Sequence, residues 1–147
     1  MSLKDKLMSD LKVAMKNKDK IRKNAITMVR AAIKQKEVDE RKELTDEDII
    51  QIISKQVKQK RDSLEDFKKG NREDLVELTE KEIEILKEYL PKQLTEEEIE
   101  ELVKQTIEEV EAESKKDMGK VMSAIMPKVR GRADGSLVNK IVQKHLQ

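Results

Sequence analysis

Apolar residues recur along this chain at intervals of three, four and seven, the spacing that lines one face of an α-helix. The first stripe is Leu3, Leu7, Met8, Leu11, Ala14 and Met15, broken at Asn17-Lys18-Asp19. The second is Ile21, Ala25, Met28, Val29, Ala32 and Ile33, fading into Lys36-Glu37-Val38-Asp39-Glu40-Arg41-Lys42, which reads as a solvated extension or loop. Thr45 is placed to cap a third helix, with Asp46, Glu47 and Asp48 at the positive end of its dipole. Ile49, Ile50, Ile53, Val57, Leu64 and Phe67 follow, and Gly70-Asn71 is a stop signal. Leu75, Val76, Ile83, Leu86, Tyr89 and Leu90 make the fourth stripe, which Pro91 ends.

After Pro91, Thr95 and Glu98 form a capping-box signature ahead of Ile99, Leu102, Val103, Thr106, Ile107 and Val110. Asp117 is expected to cap a short sixth helix carrying Met118, Val121, Met122, Ile125, Met126 and Val129, with Pro127 terminating or kinking it. Asp134 is expected to cap a seventh, with Leu137, Val138, Ile141, Val142 and Leu146. The fold class predicted is all-α: two small helical bundles in tandem, residues 1–91 and 92–147, the second a three-helix bundle.

Composition supports this reading and limits the core. Charged residues make up 43% of the 147 residues, against about 25% in an average protein. One Tyr, one Phe and no Trp leave burial to Leu, Ile, Val and Met, and narrow stripes of these favour small bundles over one thick core. With no Cys, disulfides and thiolate chemistry are excluded. Neither an apolar leader nor a stretch of about 20 apolar residues is present, so a cytoplasmic location without membrane association is expected.

Net charge is +1, yet it is unevenly spread. Residues 1–70 hold 19 basic and 13 acidic side chains, residues 91–114 two and nine, residues 115–147 eight and two. Such asymmetry speaks to partners. In the last block Lys128, Arg130 and Arg132 alternate before the final helix, with Lys120 one helix earlier and Lys140 and Lys144 a turn apart. In the first block Lys23, Arg30 and Lys34 share a face at i, i+7 and i+11. Phosphate backbones reward such cations, although an ordinary solvated surface has the same composition. The scarcity of aromatic residues argues against base stacking. Gly119 and Gly131 would allow close backbone approach to a ligand, and Gly131 and Gly135 supply turn dihedrals.

Catalysis finds little support. The single histidine, His145, has no partner visible in the sequence, and no serine lies in a nucleophile context. The glutamate pairs of the fifth helix read as a solvated face, no metal set is singled out, and no cofactor is expected. The methionines Met118, Met122 and Met126, and Met8 and Met15, at i, i+4 and i, i+7 spacing, read as core, with an adaptable partner-binding face as the alternative.

Three segments carry a family resemblance: Leu86-x-x-Tyr89-Leu90-Pro91-x-Gln93-Leu94-Thr95-x-x-Glu98, then Asp117-Met118-Gly119-Lys120-Val121-Met122, then Gly131-Arg132-Ala133-Asp134-Gly135-x-Leu137-Val138-Asn139. With them the chain resembles, over essentially its whole length, the YqeY family. These are small bacterial proteins similar to the tail domain of the glutamine-dependent aspartyl/glutamyl-tRNA amidotransferase. The resemblance implies two different helical bundles and a role beside tRNA, with a label of carbon–nitrogen ligase using glutamine as amide donor. Three readings follow. One is a non-catalytic module holding tRNA or another structured RNA. Another is an adaptor for a translation-related protein. The third is an amidotransferase-like enzyme.

Overall fold

A computed structural model describes residues 2–146. It contains seven α-helices, one 3-10 turn and, among the described residues, no strand. The helices are α1 (Leu3–Lys16), α2 (Lys20–Glu40), α3 (Asp46–Lys69), α4 (Glu73–Lys87), α5 (Glu96–Glu109), α6 (Met118–Val129) and α7 (Gly135–His145). They divide between Leu90 and Pro91 into two compact units.

In the first unit α1 packs on α2, α2 on α4, and α3 on α4. The short α3–α4 connection makes those two helices antiparallel neighbours. Leu7, Ile26, Val29, Ile49, Ile53 and Leu86 are buried at its centre. Thr45 and Asp48 form a complete capping box at the start of α3. Lys60 and Glu82 tie α3 to α4 at 3.0 Å, each side chain only 16% exposed. The second unit packs α5, α6 and α7 against one another around Ile99, Val103, Val121, Ile125, Val138 and Val142. Thr95 and Glu98 make the expected capping box there.

Some local expectations hold and others are corrected. Of the two readings of Lys36 to Glu40, a solvated extension or a loop, the extension holds, because these residues continue α2. Tertiary partners hold this stretch: Glu37 accepts the Lys4 ammonium from α1 and the Leu44 amide at 2.9 Å. Arg41, in the left-handed region at φ 53°, ends the helix. α4 closes at Lys87, before Pro91, because Tyr89 and Leu90 already turn back with i→i−3 bonds. The stop at Gly70-Asn71 is borne out, with α3 ending at Lys69, Gly70 as its cap and Asn71 in the left-handed conformation at φ 54°. Pro127 does not terminate α6, which continues through Val129. Its ring sits on the exposed side while Ile125 and Val129 are fully buried, so packing outweighs one missing bond. Asp117 precedes α6 without capping it, since its carboxylate accepts the Glu113 amide at 2.8 Å.

The methionine expectation divides. Met118, Met122 and Met126 pack partly buried against the second core. Met8 and Met15 are 38% and 55% exposed, and Met28 is 51% exposed. Leu7 and Ala14 take the core-facing positions of α1 and leave their neighbours outside. A two-helix seam accommodates only a narrow stripe.

Candidate functional site

The basic segment before α7 is a fastened structure. α6 ends where Arg130 leaves the helical region at φ −57°, ψ 123°. Gly131 then takes φ 76°, which a side chain disfavours. The amides of Arg132 and Ala133 fold back to the Val129 carbonyl at 2.8 and 3.0 Å. The segment preceding α5 ties this turn down. Leu94 donates its amide to the Arg132 carbonyl at 2.8 Å, and the Gln93 side-chain amide donates to the Gly131 carbonyl at 2.9 Å. Nothing local in the sequence gives Gln93 this role, because its partner lies 38 positions away.

Several cations of this block are engaged. Lys128 lies on α6, not in a loop, and its ammonium donates to Glu109 at 2.9 Å and to the buried Thr106 hydroxyl at 3.3 Å. Arg132 Nε donates to the Lys92 carbonyl at 3.4 Å. Lys144 lies 3.7 Å from Glu100, and His145 Nε2 lies 3.6 Å from the same carboxylate. That separation is too long for a hydrogen bond, and Nε2 is buried without one. Arg130, Lys120 and Lys140 are exposed. Lys120 lies close enough to Asp117 to help hold that carboxyl below its ordinary range, an effect led by the Glu113 amide. The acidic face of α5 therefore divides, with Glu100 and Glu109 meeting cations while Glu96, Glu97, Glu101 and Glu108 face solvent.

The glycines differ from one another. A Cβ on Gly119, the second residue of α6, would meet nothing within 4 Å. Gly135 is corrected from a turn position to the first residue of α7, where Asp134 caps by accepting the Ser136 amide at 3.1 Å. Gly131 alone of the three carries the left-handed turn.

The first unit presents a different surface. Lys23 and Lys34 are exposed and Arg30 half-buried along α2. None of the three side chains makes an ion pair or hydrogen bond among the described residues. Arg30 and Lys34 border a hollow of about 680 Å³ whose lining includes Leu7, Met8, Ala31 and Ile33. Lys23 borders a second hollow of about 250 Å³ with Ala14 and Met15. Neither hollow was anticipated, because both need α1 and α2 side by side.

Elsewhere in this unit Tyr89 donates its hydroxyl to Asp10 at 2.5 Å, with the Lys6 ammonium 5.1 Å from the ring centre. Burial, aided by the Asp10 carboxylate, pushes the phenol well above its ordinary pKa. Arg22 meets Glu88 at 2.5 Å beside it. These groups satisfy one another and leave no nucleophile beside a base. Among the described residues no set of His, Cys, Asp or Glu converges as a metal site, and no helix is long and apolar enough to cross a membrane.

Comparison with known proteins places this architecture. The profile of the YqeY family, described as Yqey-like protein, matches residues 4–146. Curated relatives are called "Altered inheritance of mitochondria protein 41, mitochondrial". The Lachancea thermotolerans protein is 47% identical over 85 residues, covering 57% of this chain and 46% of that protein. The Kluyveromyces lactis protein is 43% identical over 84 residues, covering 56% and 45%. The alignments thus span about half the length of these curated relatives. Their names overturn the cytoplasmic location expected from the sequence. That expectation rested on what the chain lacks, and helix packing carries no compartment address. With a matching profile over nearly the whole chain, the protein belongs to the YqeY family.

Proposed function

We propose that this protein is a non-catalytic helical adaptor that docks a macromolecular partner on the α1/α2 surface of its first unit. One observation carries this reading: Lys23, Arg30 and Lys34, without side-chain partners, border hollows that also hold exposed Met8 and Met15. Cations left unpaired beside accessible apolar groups suit recognition more than stability. The two units then act as tandem bundles, the second a three-helix bundle in which Lys128 and Lys144 meet its own acidic helix. A translation-related protein fits the family resemblance. A photo-crosslinker at Ala31 in the full chain should capture a protein identifiable by mass spectrometry, unaffected by nuclease. Crosslinks that vanish with nuclease would sink the adaptor reading.

A second reading, an RNA-associated module resembling the amidotransferase tail, is favoured by the unpaired ladder of Lys23, Arg30 and Lys34 on one helix. Lys120 and Lys140 are further exposed cations of the second unit, whereas Lys128, Arg132 and Lys144 would first have to leave their present partners. Anisotropy titration with bulk tRNA at several salt concentrations tests it. Phosphate contact predicts a steep negative salt slope, and absence of binding at low salt removes the reading. The carbon–nitrogen ligase label has no support in the site geometry. Glutamine-dependent transfer needs a nucleophile held by a base, and His145 faces Glu100 instead of a hydroxyl.

A further inference from the structure

The α1/α2 surface has a shape and a charge that together select a class of partner. Met8 and Met15 are seven residues apart on α1, so they share a face about 10 Å long. Met8 stands in the hollow bordered by Arg30 and Lys34, and Met15 in the one bordered by Lys23. The hairpin therefore carries a row of methionines alongside a row of cations. Leu7 and Ile33 floor the larger hollow. At one end the Lys4 ammonium and the Glu37 carboxylate neutralise each other, and against the single remaining carboxylate, Asp5, Arg30 and Lys34 leave the lining net cationic.

From this arrangement we infer that the α1/α2 groove receives an amphipathic helix of a partner protein, its apolar stripe on the methionines and its flanking carboxylates on Lys23, Arg30 and Lys34. This rests on the adaptor reading and adds the partner's chemistry. Helices dock into apolar grooves through residues at i, i+3, i+4 and i+7, and flexible methionines adapt to such stripes. Charge complementarity sets the sign of the flanks, because three cations without side-chain partners favour acidic groups and reject basic ones. Phosphates alone would leave Met8 and Met15 uncovered. Leu7 and Ile33, 0% and 5% exposed, shape the hollow without offering contact area, so Met8 and Met15 supply the apolar surface.

The seven methionines provide internal reporters. The full chain, labelled at its methionine methyls, is titrated with a designed helical peptide of about 18 residues bearing a leucine stripe flanked by glutamates, a length at which isolated helices begin to persist. The Met8 and Met15 signals should shift saturably while those of Met118, Met122 and Met126 stay in place. A lysine-flanked peptide should bind at least tenfold more weakly, and Arg30→Glu with Lys34→Glu should weaken the acidic peptide by a similar factor. Both side chains lack partners, so the variant should keep its helical circular dichroism. Met8→Gln supplies a second variant if it does not. Three outcomes overturn the inference: no response at Met8 and Met15, an equal response to both peptides, or a response only to tRNA or anionic vesicles. A nuclease-resistant crosslink at Ala31 without any peptide response would overturn the helix-in-groove inference and leave the adaptor standing.

Discussion

Lys128 on α6 and Glu109 on α5 meet at 2.9 Å, and Thr106, buried one turn before Glu109, also receives the Lys128 ammonium. One cation of the basic block is thereby engaged inside its own unit. Both charged side chains remain partly solvated, at 35% and 59% exposure. Exposed pairs of this kind contribute under about 1 kcal/mol. Glu109→Gln is therefore expected to move the urea midpoint only slightly. A loss above about 2 kcal/mol would show that the pair anchors the second unit instead of occupying a surface cation.

The two capping boxes give the acid response a definite sign. The Asp48 carboxyl is held below its ordinary value first by the Thr45 amide, and the Glu98 carboxyl first by the Thr95 amide. A carboxyl with a depressed folded pKa stabilises above its unfolded value, near about 4. That contribution is lost as pH falls through the lower folded value. Thr45→Ala and Thr95→Ala should each lose about 1 kcal/mol at neutral pH. Each should also decline less steeply below about pH 4, because part of the acid-sensitive contribution is already gone. Parallel acid slopes in variant and parent would contradict the assignment.

Tyr89 is the sole tyrosine, so phenolate absorbance reports it directly. Burial, then the bond to Asp10, raises its pKa. A raised folded value means the contribution is complete below the unfolded value, about 10, and is lost as pH rises through the folded one. Phenolate should thus appear together with unfolding in an alkaline titration and not before it. Tyr89→Phe is expected to cost about 1 kcal/mol for the lost hydrogen bond. Ionisation at about pH 10 in the folded protein would refute the buried Tyr89–Asp10 contact.

Gly131 and Gly119 should respond in opposite directions to alanine. At φ 76° Gly131 resists a side chain, and Gly131→Ala should lose about 1–2 kcal/mol. Gly119 is helical with open space at its Cβ position. Gly119→Ala should gain a few tenths to about 1 kcal/mol. Thermal melts of the two variants decide it, and destabilisation by Gly119→Ala would reveal a constraint absent from this structure.

Helix by helix, what was legible followed from local chemistry. The stripes, the caps Thr45, Thr95 and Asp134, and the break at Asn17-Lys18-Asp19 each depend on residues within a few positions, where steric and capping rules act directly. The all-α class follows from those alone. Tertiary structure decided what depended on distant partners. Glu37 reads as one charge in a polar run until Lys4 and Leu44 fold onto it. Met8 and Leu7 belong to the same stripe, and only the seam between α1 and α2 determines which enters the core. Lys128 and Lys34 look alike as cations in the sequence. The packing of α5 on α6 pairs the first, and the open side of α2 leaves the second unpaired. The periodicity of a helix fixes which residues share a face, but only its neighbours determine whether that face is buried, neutralised or left free to bind.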